Sequence, residues 1–363
     1  MAINQTLMQG LREVDMQGVI NTYDLKPFYF PTLFPLKESM TFDWKMLEAL
    51  AGLKIAADVV SRGATIPRKQ REAISNLRGE IPKIAASRIM EENDLNEYDV
   101  ALALSSNNPN VRAIVEFWAN DMEFCWNAVA SRLEWIALKQ ISTGKVSLTN
   151  TNNDAVVTEF AVDYQIPDAQ KSGVTKAWTD AAAKPFEDLR LKIKAAKAKS
   201  INPKFAFMNL DTFGTMAENE SVIKACASFA SVALNISQTP SLEQVNAALR
   251  GLPNLNGLQI VVIDQDITTE VKGERVTGNP FENEVVTLTE SKVLGQTFWK
   301  TPIDMKLTSS AALKVMNGPV MVKKFSTEEP ITEVTQGIAN AFPAWSGSTR
   351  SLLVDVAHTT FTK

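Results

Sequence analysis

Residues 108–141 read NPNVRAIVEFWANDMEFCWNAVASRLEWIALKQI, and this stretch decides the fold. Apolar side chains recur at Val111, Ile114, Val115, Trp118, Met122, Cys125, Trp126, Val129, Leu133 and Ile136. Steps of three and four trace one stripe of an amphipathic helix. Asn108 suits an N-cap and Pro109 the first helical turn. Thr143-Gly144 is a stop signal. About 33 residues at 1.5 Å each span roughly 50 Å, more than most globular helices. The spacing predicts a core face through Trp118, Met122, Trp126 and Leu133, with Cys125 as a small buried apolar group. Two tryptophans at helical spacing read as packing, not as a cofactor box.

Working outward toward the N-terminus, Pro27 to Leu36 packs three prolines and four aromatics into ten positions. Prolines at that density favour extended backbone and remove ladder donors. The aromatics carry apolar area that needs a surface. The strap either packs on its own domain or reaches a neighbouring chain. Next, Leu53–Val60 reads as a short strand, residues 61–71 as a basic tip with Gly63 and Pro67, and Glu72–Ile84 as a returning segment, together a long hairpin or loop. Residues 54–83 carry seven basic and three acidic side chains; residues 84–108 carry one basic and five acidic, Glu91, Glu92 and Asp94 among them. Adjacent blocks of opposite sign are two solvated faces, and they also suit a surface that meets a copy of itself.

Beyond the long helix, the period of two through Val156, Phe160, Val162, Tyr164 and Ile166 predicts a half-buried strand. A second helix is expected over Lys176–Lys199, with Pro185 opening its main part. Six basic residues and no acids lie between Arg190 and Lys204, either a solvated face with cations near a helix C-terminus or a contact for nucleic acid or an acidic partner. Strands are expected at Phe205–Leu210, Leu258–Asp264, Glu284–Thr289, Gly295–Trp299 and Leu352–Val356, and a helix from Asn219 to about Leu234. Helices and strands mix without regular alternation, so the class is α+β.

The chain has 363 residues, 45% hydrophobic, with a formal charge of −4. That argues against wholesale disorder and against a generally basic nucleic-acid binder. Two cysteines and one histidine, His358, leave no disulfide framework and no His-rich metal site. No apolar run reaches the roughly 18 residues of a membrane span, and the first twenty residues do not read as a secretory signal. Nucleotide-binding glycine motifs, H-E-x-x-H, G-x-S-x-G and C-x-x-C are missing. Asp264-Gln265-Asp266 reads as a strand-to-turn acid pair and His358 as solvent-exposed or in ordinary packing, so no catalytic, cofactor-binding or metal residue is assigned.

The order of features resembles the major capsid protein of tailed phages, in the lambda-like capsid protein E family. It rests on the aromatic arm leading to Thr41-Phe42-Asp43, the hairpin from Ile55-Ala56 to Ile81-Pro82-Lys83-Ile84, and the helix ending Glu134-Trp135-Ile136-Ala137-Leu138-Lys139-Gln140-Ile141-Ser142-Thr143-Gly144. Then come Val162-Asp163-Tyr164, Ala177-Trp178, Pro185-Phe186-Glu187-Asp188-Leu189, Phe207-Met208-Asn209 and Gly257-Leu258-Gln259-Ile260, in that order. The resemblance implies the Hong Kong phage capsid fold. Residues 1–41 would be the N-terminal arm and 42–86 the E-loop. Residues 87–180 would form a peripheral domain with a spine helix at 109–141, 181–321 the axial domain, and 322–363 would complete the peripheral domain.

It further implies hexamers and pentamers of the chain enclosing double-stranded DNA in an icosahedral head, assembled in the host bacterial cytoplasm. Expected partners are a separate scaffolding protein, a portal and a decoration protein, with weak DNA contact at most and no membrane. Candidate inter-subunit contacts are Phe28, Phe30, Phe34, Arg62, Arg68, Lys69, Arg71, Glu91, Glu92 and Asp94. No Lys–Asn cross-link is assigned. An encapsulin-like compartment or gene-transfer-agent shell of the same fold is the alternative, and a carboxylate-based α+β enzyme a further one.

Overall fold

The computed structural model describes residues 6–8, 11–49, 74–105, 111–149, 151–153, 160–227, 238–255, 257–307 and 312–363. The predicted strand at Leu53–Val60 and the basic tip lie outside these residues. The chain divides into two units. The first comprises residues 1–44, 79–137 and 296–344, and the second 45–78, 138–295 and 345–363. Residues 322–344 fall in the first unit and 345–363 in the second.

The first unit begins with α1 (Glu13–Ile20), α2 (Phe30–Leu33) and β1 (Leu36–Glu38). β4 (Lys83–Met90) and α3 (Glu92–Ser105) also belong to it, while the paired strands β2 (Asp43–Ala49) and β3 (Ile74–Glu80) fall mostly in the second unit. The long helix α4 spans Val111–Thr143, close to its predicted bounds; residues 106–110, with the expected cap, lie outside the described set. Its stripe is buried at Met122, Cys125, Trp126, Val129, Leu133 and Ile136. The Trp118 side chain lies outside the described residues.

α4 lies against a six-stranded sheet of order β1-β13-β16-β15-β14, in which β4 also pairs β16. Here β13 is Gly295–Lys300, β14 Leu313–Asn317, β15 Val320–Glu328 and β16 Ile331–Trp345. The close approach is set at Gly337, where a Cβ would stand 2.3 Å from the Cys125 carbonyl oxygen. The Cys125 thiol donates to the Thr335 carbonyl at 3.3 Å. The sequence reading missed β16 because this strand is covered on both faces and shows no period of two.

The second unit holds the end of α4, which stops at Gly144 with φ +73°, followed by β5 (Lys145–Leu148) paired with β6 (Phe160–Asp163). Its five-stranded sheet has the order β7-β17-β12-β8-β9. These strands are Lys171–Gly173, Leu352–Asp355, Val285–Thr289, Phe205–Asn209 and Gln259–Ile263 respectively. One continuous apolar core joins this sheet to α5 (Pro185–Ala198), α6 (Leu210–Glu218), α7 (Glu220–Cys226) and α8 (Leu242–Gly251). A separate hairpin, β10 (Ile267–Val271) with β11 (Glu274–Gly278), completes the unit.

The helix expected over 176–199 begins only at Pro185. The Trp178 N–H donates instead to the Val356 carbonyl at 2.9 Å, which draws 177–183 into turns beside the C-terminal segment. The helix expected at 219–234 is described to Cys226; residues 228–237 lie outside the described set. α6 was not foreseen. Its N-cap, Asn209, accepts the Thr212 N–H at 2.9 Å.

Candidate functional site

The aromatic strap packs on its own unit, the first of the two alternatives, and it coils at residues 30–33 where extended backbone was expected. Pro31 tolerates a first helical turn, so residues 30–33 coil into α2. The Glu134 carboxylate on α4 accepts the N–H of Tyr29 at 2.9 Å and that of Phe30 at 2.7 Å. These are donors that a helix start leaves without partners, and they favour an anion. Burial pushes the Glu134 carboxyl up to about 7, against the pull of the two N–H groups. The Thr297 hydroxyl donates to the Phe34 carbonyl at 2.8 Å, and β1 runs parallel to β13. Tyr23 donates its hydroxyl to the Ala119 carbonyl at 3.3 Å, and its ring centroid lies 5.6 Å from that of Trp126. Phe30 and Phe34 are fully buried within this unit, and Phe28 is half-buried. Phe30 and Phe34 are thus core residues here; of the three, Phe28 alone keeps surface.

A second anchor lies in the sheet. The side chains of Lys324 and Glu333 are both without exposed surface, with Nζ and Oε1 3.9 Å apart. Lys324 donates to the Thr335 hydroxyl at 2.9 Å. Glu333 accepts the Thr6 hydroxyl and, at 3.0 Å, the Leu7 N–H, so a buried carboxylate ties down residues 6–7. Burial holds Lys324 below its usual range, while Glu333 and Asp121 pull the other way. Asp121 is raised by burial and meets Arg88 at 3.3 Å. Sequence reading missed Glu134 and Glu333. Neither left a signal: Glu134 stands off the apolar stripe of α4, and Glu333 is flanked by the polar residues Thr332, Thr335 and Gln336.

Glu91, Glu92 and Asp94 are exposed at the start of α3, where the Glu91 N–H donates to Asp94 at 3.1 Å. A local role in starting the helix accounts for part of this acidic block. Arg62, Arg68, Lys69 and Arg71 lie outside the described residues. Trp126, Met122 and Leu133 lie together in the core.

No described constellation is arranged for nucleophilic chemistry. His358 Nδ1 lies 3.1 Å from both oxygens of Asp355, and the Thr362 hydroxyl donates to the same carboxylate at 2.8 Å. The Thr362 hydroxyl also lies 3.3 Å from His358 Nδ1, but that is the same nitrogen that faces the Asp355 carboxylate, so the imidazole does not stand between hydroxyl and acid with one nitrogen turned to each, as a nucleophile relay requires. Burial pushes Asp355 up, but hydrogen bonds from Thr362, Ala357 and His358 leave it below its usual range. The Cys125 thiol is pushed up to about 11 by burial, the reverse of an activated cysteine. A cavity of about 310 Å³ in the second unit is lined by Trp178, Asp211, Thr212, Thr215 and Glu284 among others, with no Ser, Cys, His or Lys. Among the described residues, no three His, Cys, Asp or Glu side chains cluster as metal ligands, and no helix is long and apolar enough to cross a membrane.

Comparison with solved structures finds the same architecture. A prophage protein of E. coli CFT073 assigned as a capsid protein is 16% identical, with a TM-score of 0.59 over 96% of this chain and 99% of that one. A phage-related protein from Bordetella bronchiseptica RB50 is 15% identical, with a TM-score of 0.52 over 96% and 97%. At these identities the likeness concerns the fold. No curated protein sequence matches the chain. The profile of the family described as phage major capsid protein E matches residues 14–344, across both units. The chain therefore belongs to the phage major capsid protein E family.

Proposed function

We propose that the chain is the structural subunit of an icosahedral phage head, joining copies of itself as hexamers and pentamers around double-stranded DNA, without enzymatic activity. The observation that carries this reading is the family match over 14–344, which spans the strap, the long helix and every strand of the two large sheets except β17. The buried charges support it, because Glu134 and Glu333 are spent on holding the N-terminal segments and Asp355 on the C-terminal turn. In this reading the second unit's five-stranded sheet and helices serve as the axial domain, and α4 as the spine of the peripheral domain. Residues 42–86 form the loop that meets a neighbour, with Arg68 and Lys69 in its contact and Glu91, Glu92 and Asp94 on the facing surface. A scaffolding protein guides assembly in the host cytoplasm, and portal and decoration proteins complete the head. Electron microscopy of concentrated protein with its scaffolding partner tests this. Closed shells are expected; small discrete particles under all conditions would overturn it.

A further inference from the structure

β14 ends the first unit's sheet. An open edge offers its N–H and C=O groups to any passing strand. β14 pairs β15 antiparallel, with Lys314 opposite Lys323 and Met316 opposite Met321. In such a ladder alternate residues turn their backbone groups outward, and here these are Lys314 and Met316. Both are met by side chains of α1. Gln17 Nε2 donates to the Met316 carbonyl at 3.0 Å, while Gln17 Oε1 accepts the Met316 N–H at 3.4 Å. Glu13 Oε1 accepts the Lys314 N–H at 3.1 Å. In return, Asn317 Nδ2 donates to the carbonyls of Ile20 at 2.9 Å and Tyr23 at 3.0 Å, where α1 ends. A carboxamide carries one donor and one acceptor side by side, as a peptide group does. Gln17 stands where the peptide of an adjacent strand would stand.

The second unit repeats the device at its own end strand. Asn246 Nδ2 on α8 donates to the Ile260 carbonyl of β9 at 3.2 Å, and its Oδ1 accepts the Ile260 N–H at 2.8 Å. The two covers differ in how firmly they are held. α8 is fixed by Val245 and Leu249 in a large core, with a capping box at Ser241 and Gln244. α1 is eight residues long, buries only Met16 and Ile20, and leaves Val14 75% exposed.

We propose that α1 is a removable guard on the β14 edge, whose natural occupant once bared is β14 of a second copy of the chain. This rests on the reading that copies of the chain meet. The sequence Leu313-Lys314-Val315-Met316-Asn317 is self-complementary about Val315. Antiparallel pairing sets Lys314 against Met316, two outward-facing residues, and opposes no like charges.

Hydrogen exchange and sedimentation velocity on the full chain, without scaffolding protein and below the concentration at which shells form, test the guard. Glu13→Ala with Gln17→Ala is expected to speed exchange of the Lys314 and Met316 amides at least tenfold and to produce a dimer. Adding Met316→Pro, which deletes the bridging N–H on an edge strand that tolerates proline, is expected to restore the monomer. Should the double variant not fold, Gln17→Met keeps a helix former of similar length but offers the Met316 peptide neither donor nor acceptor; faster exchange of the Met316 amide and the same dimer are expected. Unchanged exchange in a folded variant, or a dimer indifferent to Met316→Pro, overturns the guard. Wild-type shells beside inert guard variants sink the guard alone; failure of wild type to form any shell sinks the proposed function alone.

Discussion

In the first unit, carboxylates without exposed surface reach into the N-terminal segments: Glu333 holds residues 6–7 and Glu134 holds residues 29–30. In the second, α5, α6, α7 and α8 are fastened to their sheet by apolar side chains, Leu189, Met216, Val222 and Leu249 among them. The two solutions differ in kind. Apolar burial is non-directional and scales with area. A buried carboxylate is directional, costs desolvation, and holds only while its partners are in place. Residues 6–7, held chiefly by the second means, can be released without dismantling a core, whereas the strap, which also buries Phe30, Leu33 and Phe34, is held by both.

The sharpest way to break this comparison is Glu333→Ala. It leaves the Lys324 ammonium buried without its anion, so a loss of about 3–5 kcal/mol is expected, read by urea unfolding. Exchange at residues 6–8 should rise in the same variant. Replacing both partners, Lys324→Leu with Glu333→Met, should recover most of the stability while leaving residues 6–8 free. Leu249→Ala in the second unit is expected to cost about 2–5 kcal/mol with no change in exchange at residues 6–8. Release of those residues by Leu249→Ala would erase the distinction between the two means of attachment.

What the sequence made legible follows the same divide. Periodic apolar burial left a readable trace. The stripe Met122–Ile136, the strand at 259–263 and the helix from Pro185 are where the pattern placed them. Polar fastening left none that could be read alone. Glu134 sits one position from the stripe residue Leu133 and looks like a solvated helix acid until the strap is seen to end on it. The strap itself misled, since prolines 27, 31 and 35 argue for extended chain, yet Pro31 at a helix start is compatible with a turn. β16 was missed because burial on both faces erases alternation, and α3 because its acids, read as a charge block, hid a helix start at Glu91 and Asp94.

Titration sharpens the comparison further, with opposite signs in the two units. Burial raises Glu134 from the ordinary 4.5 to about 7. The folded chain therefore binds more protons than the unfolded one between those values, and this site's contribution to stability falls as pH rises from about 4.5 to 7. The full swing is about 3 kcal/mol. Melting temperature followed over that range should show a slope that Glu134→Gln flattens; an unaltered slope would mean that the carboxyl does not titrate in the folded state.

The smallest effect belongs to Asp355. Its folded carboxyl lies below the ordinary 3.8, so its stabilisation is present above that value and disappears as pH falls below it. Asp355 accepts the N–H groups of Ala357 and His358, each at 3.0 Å, and the Thr362 hydroxyl at 2.8 Å, so it closes the turn that follows β17. Asp355→Asn keeps the size but presents a donor where only acceptors fit. A loss of about 1–3 kcal/mol is expected at neutral pH, together with faster exchange at residues 357–362. At pH 3 the gap between variant and wild type should narrow, because the wild-type carboxyl is then losing its charge. Acid would thus favour the strap's anchor in one unit while weakening the turn in the other. A gap for Asp355→Asn that widens toward acid would show that the hydrogen bonds favour the neutral carboxyl, and the contrast between the two units would fail at that point.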